Sequence, residues 1–211
     1  KRVVGYYATK QEAIAAKNKA LNEIEQLKRV KSSKQTLGEY LEYWFENVHR
    51  LSIKLSTCVQ HRAILARDIL PVLGNIPIQK LTIRDVQLWV SKLQERLSAG
   101  RVRTIYNLLH KALDHAVSDN LLNSNVCDRV TLPRLEENER PAFSDVQAQR
   151  FIQAAKDNKL EVLFILALTS GLRHGELRAL KWRQIDFEQG KLHVRQTAND
   201  INGYGTVESE P

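Results

Sequence analysis

Between Thr36 and Leu132 the apolar residues recur at helical spacing, and no other feature limits the possible folds of this chain as tightly. Leu37, Tyr40, Leu41, Trp44, Phe45 and Val48 form an i, i+3, i+4, i+7 stripe. Ser56 caps a second helix carrying Cys58, His61, Leu65, Ile69 and Leu70, which Pro71 and Gly74 end. Thr82 with Asp85 caps a third, bearing Val86, Trp89, Val90 and Leu93. Ser98 opens a fourth, with Val102, Ile105, Leu109, Ala112, Leu113 and Ala116 inside. A single amphipathic helix cannot bury its own stripe. Four of them with short connections predict a compact bundle.

The flanks read differently. Val3 to Tyr7 has the look of a short strand, and Thr9 with Glu12 is a capping box opening a helix that lines up Ala13, Ala16, Ala20, Ile24 and Leu27. One strand and one helix cannot hold a core, so this unit reads as the tail of a small domain. Lys28 to Gln35 is polar, basic and aperiodic: a linker. Pro133 to Pro141 is charged and bracketed by prolines, a second linker. Ser144 then caps a helix with Val146, Phe151, Ile152 and Ala155, and an apolar helix predicted to be buried, Leu160 to Leu168, follows. Arg173 to Leu180 makes a further helix. Lys191 to Arg195 alternates as a strand after the turn Glu188-Gln189-Gly190, and Asn202-Gly203 with Tyr204-Gly205 suggests another turn in a sheet that does not complete. The divisions expected are 1–35, 36–132, a linker 133–143, and 144–211. A chain that opens on Lys1 and contains no Met reads as a piece of a longer protein.

Composition excludes several classes. The longest apolar run, Val162 to Leu168, is far too short for a bilayer, and no signal-peptide pattern opens the chain. Cys58 and Cys127 have no metal-type spacing, which fits a reducing cytoplasm. The net charge is +8, unevenly placed: residues 1–35 hold nine Lys/Arg against three Glu, whereas residues 141–211 are balanced at nine against nine. A basic N-terminal third points to a polyanion, most simply nucleic acid. The helix faces agree. Lys54, Thr57, Gln60, Arg62 and Arg67 lie off the second stripe, and Arg101, Arg103, Thr104, Asn107 and Lys111 off the fourth. Such side chains read base edges and hold phosphates, although solvated helix faces carry them too. Glu39, Glu42 and Glu46 gather on the first helix, so the bundle is expected to have a basic and an acidic side.

The run Gly171-Leu172-Arg173-His174-Gly175-Glu176-Leu177 puts a charged residue where one apolar helix ends and another starts. There Arg173 and free backbone N–H groups can face one phosphate together, with Glu176 on the same helix face to hold the guanidinium. An isolated R-x-x-E reads equally as a structural salt bridge.

Together with Leu180, Trp182, Ile185 and Asp186, this run resembles the first catalytic-arginine box of the phage integrase, or tyrosine recombinase, family. Thr36-Leu37-Gly38-Glu39-Tyr40-Leu41 with Trp44 is similar to the start of that family's core-binding domain, and Ile69 to Thr82 and Arg101 to Val117 continue the match. Residues 1–27 look like the end of an arm-binding domain. The resemblance implies a mainly α chain: a short strand–helix remnant, a SAM-like four-helix core-binding bundle, and the first, incomplete part of an α+β catalytic domain. It implies a tyrosine that attacks a DNA phosphate to form a 3′-phosphotyrosyl link, with arginines, Lys and His neutralising the transition state and no metal or other cofactor. Arg173 matches the first of those arginines, and Glu176 the acid that supports it.

The family's catalytic Lys belongs in a hairpin after the Leu192–Arg195 strand, and the His-x-x-Arg box and nucleophile further on. None of Tyr6, Tyr7, Tyr40, Tyr43, Tyr106 or Tyr204 matches the nucleophile, so the 211 residues are expected to bind DNA without cleaving it. Lys181, Lys191, His174 and His193 read as non-catalytic. The partners implied are double-stranded core-type DNA, arm-type sites, and protomers of the same recombinase, in a bacterial cytoplasm on the nucleoid, with no membrane. Rival readings are a non-catalytic DNA-binding regulator on the same bundle and an α-helical protein-interaction module.

Overall fold

The structure, a computed structural model, describes residues 7, 9–29, 33–135 and 141–210, and for residues 20 and 22–29 the backbone alone. It divides into two compact units, Lys1–Glu136 and Glu137–Pro211. The strand expected at Val3 to Tyr7 lies, apart from Tyr7, outside the described residues. Helix α1 (Lys10–Arg29) starts as the Thr9 hydroxyl accepts the Glu12 N–H at 3.3 Å, and it runs two residues into the stretch expected to be linker.

The first unit is built on four helical segments. α2 (Leu37–Asn47) is opened by a reciprocal capping box between Thr36 and Glu39, and buries Leu37, Tyr40, Leu41, Trp44 and Phe45. α5 (Ile83–Gln94) opens on the equivalent Thr82–Asp85 box and buries Val86, Trp89, Val90 and Leu93. α6 (Ala99–Ser118) is capped by Ser98 and buries the expected stripe plus Tyr106 and Leu108. Side-chain oxygens thus satisfy N–H groups the helices leave orphaned, while the stripes meet in one core.

The second segment departs from expectation in two ways. Its N-cap is Lys54, not Ser56, and α3 (Leu55–Ile64) begins without a side-chain cap. Pro71 does not end it: a π-helical turn, Leu65–Ile69, leads into α4 (Leu70–Leu73), with Pro71 in its first turn and Gly74 as the stop. In the wider turn the Leu70 N–H reaches back to the Leu65 carbonyl, which relieves the crowding a mid-helix proline creates. The turn also buries Asp68, whose carboxylate accepts from Arg67 at 2.9 Å and Arg96 at 2.7 Å while its carbonyl accepts from the Trp89 indole at 2.8 Å. Burial alone would push that carboxyl up; the hydrogen bonds from the two guanidinium groups hold it below the usual carboxylate range. Gly38 is needed for close approach, since its N–H donates to the Gly74 carbonyl at 2.9 Å and a Cβ on Gly38 would sit 3.1 Å from that oxygen.

Inside this core, His49 is 2% exposed and stacks between Trp44 (centroids 4.4 Å apart) and His61 (5.1 Å), with Nε2 2.8 Å from His61 Nδ1. Burial drives its pKa down to about 4, with the charges of Lys111 and His61 adding to the effect. The unfolded chain therefore binds the proton first, and His49's stability contribution is complete above about pH 6.5 and disappears as pH falls towards 4. The wild type should lose on the order of 2–3 kcal/mol through this group between pH 7 and 4.5. Urea unfolding at both pH values checks it: His49→Phe should lose less than wild type, and equal losses would remove His49 as the cause.

In the second unit, α7 (Asp145–Ala155) opens on a Ser144–Gln147 box, but Val146 is exposed and Ala155 is the residue it buries. α8 (Glu161–Ser170) is apolar all round yet buries no residue, and Val162 is 77% exposed. Its expected burial fails because an all-apolar helix needs neighbours on every side, and here α7 and α9 (His174–Ala179) are the elements packed on it. The strand expected at Lys191–Arg195 shrinks to β2 (Lys191–Leu192), paired antiparallel with β1 (Ile185–Asp186) around a turn where Gly190 has φ +62. The turn expected at Asn202–Gly205 closes a second hairpin, in which β3 (Thr197–Ile201) pairs with β4 (Gly205–Ser209) from Ile201↔Gly205 to Thr197↔Ser209, and the two hairpins remain separate two-stranded sheets.

Candidate nucleic-acid interface and arginine turn

The first unit separates the basic residues into two groups. Lys54 stands at the start of α3, followed on the same helix by half-buried Thr57 and exposed Gln60. Arg101, exposed Asn107 and exposed Lys111 run along α6. α3 and α6 come together at His61, whose pKa is lowered first by burial and then by the charges of Lys111 and Arg101. α6 thus places two positive charges near one half-buried imidazole of α3.

The remaining residues are engaged by neighbouring groups. Arg62, expected on the basic side, donates to Glu42 at 2.5 Å and Glu46 at 2.6 Å and lies 5.0 Å over the Phe45 ring, bracing α3 to the acidic face of α2. Arg67 is engaged by Asp68. Arg103 donates from Nε to the Pro133 carbonyl at 3.1 Å, pinning the chain that leaves the bundle. The Thr104 hydroxyl donates to the Gly100 carbonyl at 3.1 Å within its own helix. Helical spacing places all these side chains off the core stripe, but the acids that claim Arg62 come from another element, α2.

In the second unit, α8 ends at Gly171, whose φ of +67 is the left-handed stop that reverses the chain. Arg173 follows as the N-cap of α9, with extended backbone (φ −68, ψ 152). Glu176, buried at 9% exposure, accepts the Arg173 backbone N–H at 2.9 Å and its guanidinium at 3.0 Å. Those two hydrogen bonds, the backbone one first, hold the Glu176 carboxyl below its ordinary value. The Arg173 side chain remains 86% exposed. One carboxylate therefore fixes the turn's backbone and one edge of the guanidinium while the rest of the fork faces out. Gly175 allows the turn to lie on β3, because a Cβ there would meet the Thr197 hydroxyl at 2.3 Å and the Ala198 carbonyl at 3.1 Å. Arg178 docks the same helix on that hairpin through a bidentate pair with Asp200, both contacts at 2.8 Å. That pairing, with the Thr206 hydroxyl, takes the Asp200 carboxyl down to about 2.

Lys181 is paired with Glu208 at 2.6 Å, Lys191 hydrogen-bonds Gln189 at 2.8 Å, and His174 and His193 are exposed. The hairpin 197–209 contains no lysine. A cavity elsewhere in this unit collects Arg183, His193 and Arg195; the pairing of β1 with β2 brings Arg183 to the other two. No helix among the described residues is long and apolar enough to cross a membrane.

Residues 36–94 match the family described as phage integrase, N-terminal SAM-like domain. Over 98% of its length the chain is 32% identical to a tyrosine recombinase XerC-like protein of Caldanaerobacter subterraneus subsp. tengcongensis, and it spans 57% of that relative. Among solved structures it is similar to the Tn1549 transposon integrase in complex with a circular intermediate DNA, at a TM-score of 0.72 and 21% identity over 84% of this chain and 58% of that one. It is similar also to a lambda integrase dimer bound to a core site, at a TM-score of 0.64 and 17% identity over 83% of this chain and 62% of that one. The capped bundle and the extended sequence match have one common explanation: residues 36–94 form the SAM-like domain of the phage integrase family, and the chain over nearly its whole length is similar to the tyrosine recombinases.

Proposed function

We propose that the chain serves site-specific DNA recombination: residues 36–132 grip core-site duplex, and residues 144–211 supply the first side of a phosphate clamp. The observation that carries this is Arg173, an exposed guanidinium on an N-cap fixed by a buried carboxylate. Preorganised donors of that kind stabilise charge developing on a phosphate. In this reading residues 1–35 end an arm-type DNA-binding domain, residues 133–143 join the two domains, and protomers of the same recombinase assemble on DNA on the bacterial nucleoid. Arg101, Asn107 and Lys111 on α6, with Lys54, Thr57 and Gln60 on α3, form the duplex contact. Arg62, Arg67, Arg103 and Thr104 support it through the neighbours that hold them. Glu176 positions Arg173. The nucleophile is none of the six tyrosines, so a polypeptide of these 211 residues binds duplex without cleaving it.

Fluorescence anisotropy with a core-site duplex across a salt series tests the reading, run beside a nicked suicide substrate. Affinity should fall steeply between about 50 and 200 mM salt as Lys/Arg contacts release counterions. Arg101→Ala and Lys111→Ala should each lower the log–log salt slope by about 1, while Arg62→Ala should leave the slope unchanged. Binding indifferent to salt would end the DNA reading. A covalent protein–DNA adduct would end the claim that this polypeptide cannot cleave.

A further inference from the structure

We infer that the second unit carries a nucleotide-binding cavity, lined by none of the residues of the arginine turn. Local pairing builds it. Beyond the last ladder pair, Ile185↔Leu192, the His193 N–H donates to the Gln184 carbonyl at 2.9 Å, which sets Arg183 beside the chain at residues 193–196. In extended chain, residues 193 and 195 fall on one side. The pair Thr197↔Ser209 then returns Ser209 and Glu210 next to Gln196. The result is a concavity of about 550 Å³ lined by Arg183, His193, Arg195, Gln196, Ser209 and Glu210.

Its chemistry has two ends. Arg183 and Arg195 have no ion-pair partner among the described residues, whereas Arg178 and Lys181 in the same unit are matched with Asp200 and Glu208. Two unmatched planar forks in one concavity favour an anion able to accept in-plane, and a phosphate does so. At the other end, the Gln196 Oε1 is buried with no hydrogen-bond partner, an unfavourable state unless a donor arrives. A bare phosphate cannot provide that donor efficiently. A base amino group or a sugar hydroxyl can. An anionic end and a donating end, in a space of the size that small-molecule sites occupy, describe a nucleotide. It can come from solution or from a DNA strand.

The test is nuclear magnetic resonance titration of the ¹⁵N-labelled 211-residue chain with deoxyadenosine 5′-monophosphate, with inorganic phosphate, and with a short core-site duplex. Saturable shifts from the mononucleotide should appear at the amides of Gln184, His193, Gln196 and Ser209. Arg183→Gln and Arg195→Gln should each weaken that affinity about tenfold, and inorganic phosphate should bind at least about tenfold more weakly than the nucleotide. Gln196→Leu should bring the nucleotide down to the phosphate level while leaving phosphate itself unchanged. All three variants should keep the wild-type spectrum away from the cavity. Displacement of the nucleotide by duplex assigns the site to a strand; retention assigns it to a free nucleotide. No saturable shift at about 10 mM nucleotide, equal affinity for phosphate, or affinities untouched by the two arginine changes would each overturn the inference. Arg101→Ala separates this outcome from the duplex reading, because it should weaken duplex and leave the mononucleotide unaffected.

Discussion

Arg173→Ala in the whole protein is expected to lower DNA strand cleavage by roughly 10²–10³ while changing folding stability by less than about 0.5 kcal/mol. The two halves of this prediction come from one geometry. The guanidinium is 86% exposed, so little packing is lost with it. The turn itself is held by the Glu176 carboxylate on the Arg173 backbone N–H, a bond that alanine retains. A structural salt bridge predicts the opposite pattern, with stability falling and cleavage following it. Glu176→Ala is the informative companion. It strips the cap from α9 and should cost about 1 kcal/mol, together with a partial loss of cleavage because Arg173 is no longer held. Single-turnover cleavage of a nicked core-site substrate, beside thermal melts of each variant, measures both quantities. Undiminished cleavage in Arg173→Ala would remove the residue from the proposed clamp.

The sequence was most legible where the determining contacts are local. Thr9 with Glu12 and Thr82 with Asp85 satisfy helix ends across three residues, so both the cap and the stripe behind it can be read without knowing the fold. The Gly171-to-Glu176 turn is equally local, and it too was visible. What escaped depends on partners far along the chain. The π turn at Leu65–Ile69 buries an aspartate that Arg96 reaches from 28 residues away. Arg62 looks like a base reader until Glu42 and Glu46 claim it from α2. Thr197-Ala-Asn-Asp-Ile201 has little strand character, and it is ordered by its partner strand, by Gly203 and Gly205 at positive φ, and by Arg178 from α9. The apolar run of α8 misled in the other direction: hydrophobicity reports what a helix could bury, and the neighbours decide what it does bury.

Trp89→Ala should be the most destabilising of the core changes, and Trp182→Ala, the same change in the second unit, should do almost nothing. Trp89 is 1% exposed in the core of the bundle and donates its indole N–H to the Asp68 carbonyl of the π turn at 2.8 Å. Truncation leaves a large cavity and an unpaired carbonyl beside a buried carboxylate, a loss of about 3–5 kcal/mol. For a domain of roughly 100 residues that corresponds to a fall in Tm on the order of 15–30 °C, a large part of the stability such a domain has. Trp89→Phe keeps most of the packing and loses the hydrogen bond, so its cost should be nearer 1–2 kcal/mol. Trp182 is 79% exposed and stacks loosely on Phe187 with centroids 6.4 Å apart, so its removal should stay within about 0.5 kcal/mol. Urea titrations followed by circular dichroism at 222 nm rank the three variants. If Trp89→Ala proves no worse than Trp89→Phe, the indole's packing is not what holds the bundle together, and the tie from Trp89 to the π turn is the interaction to vary next.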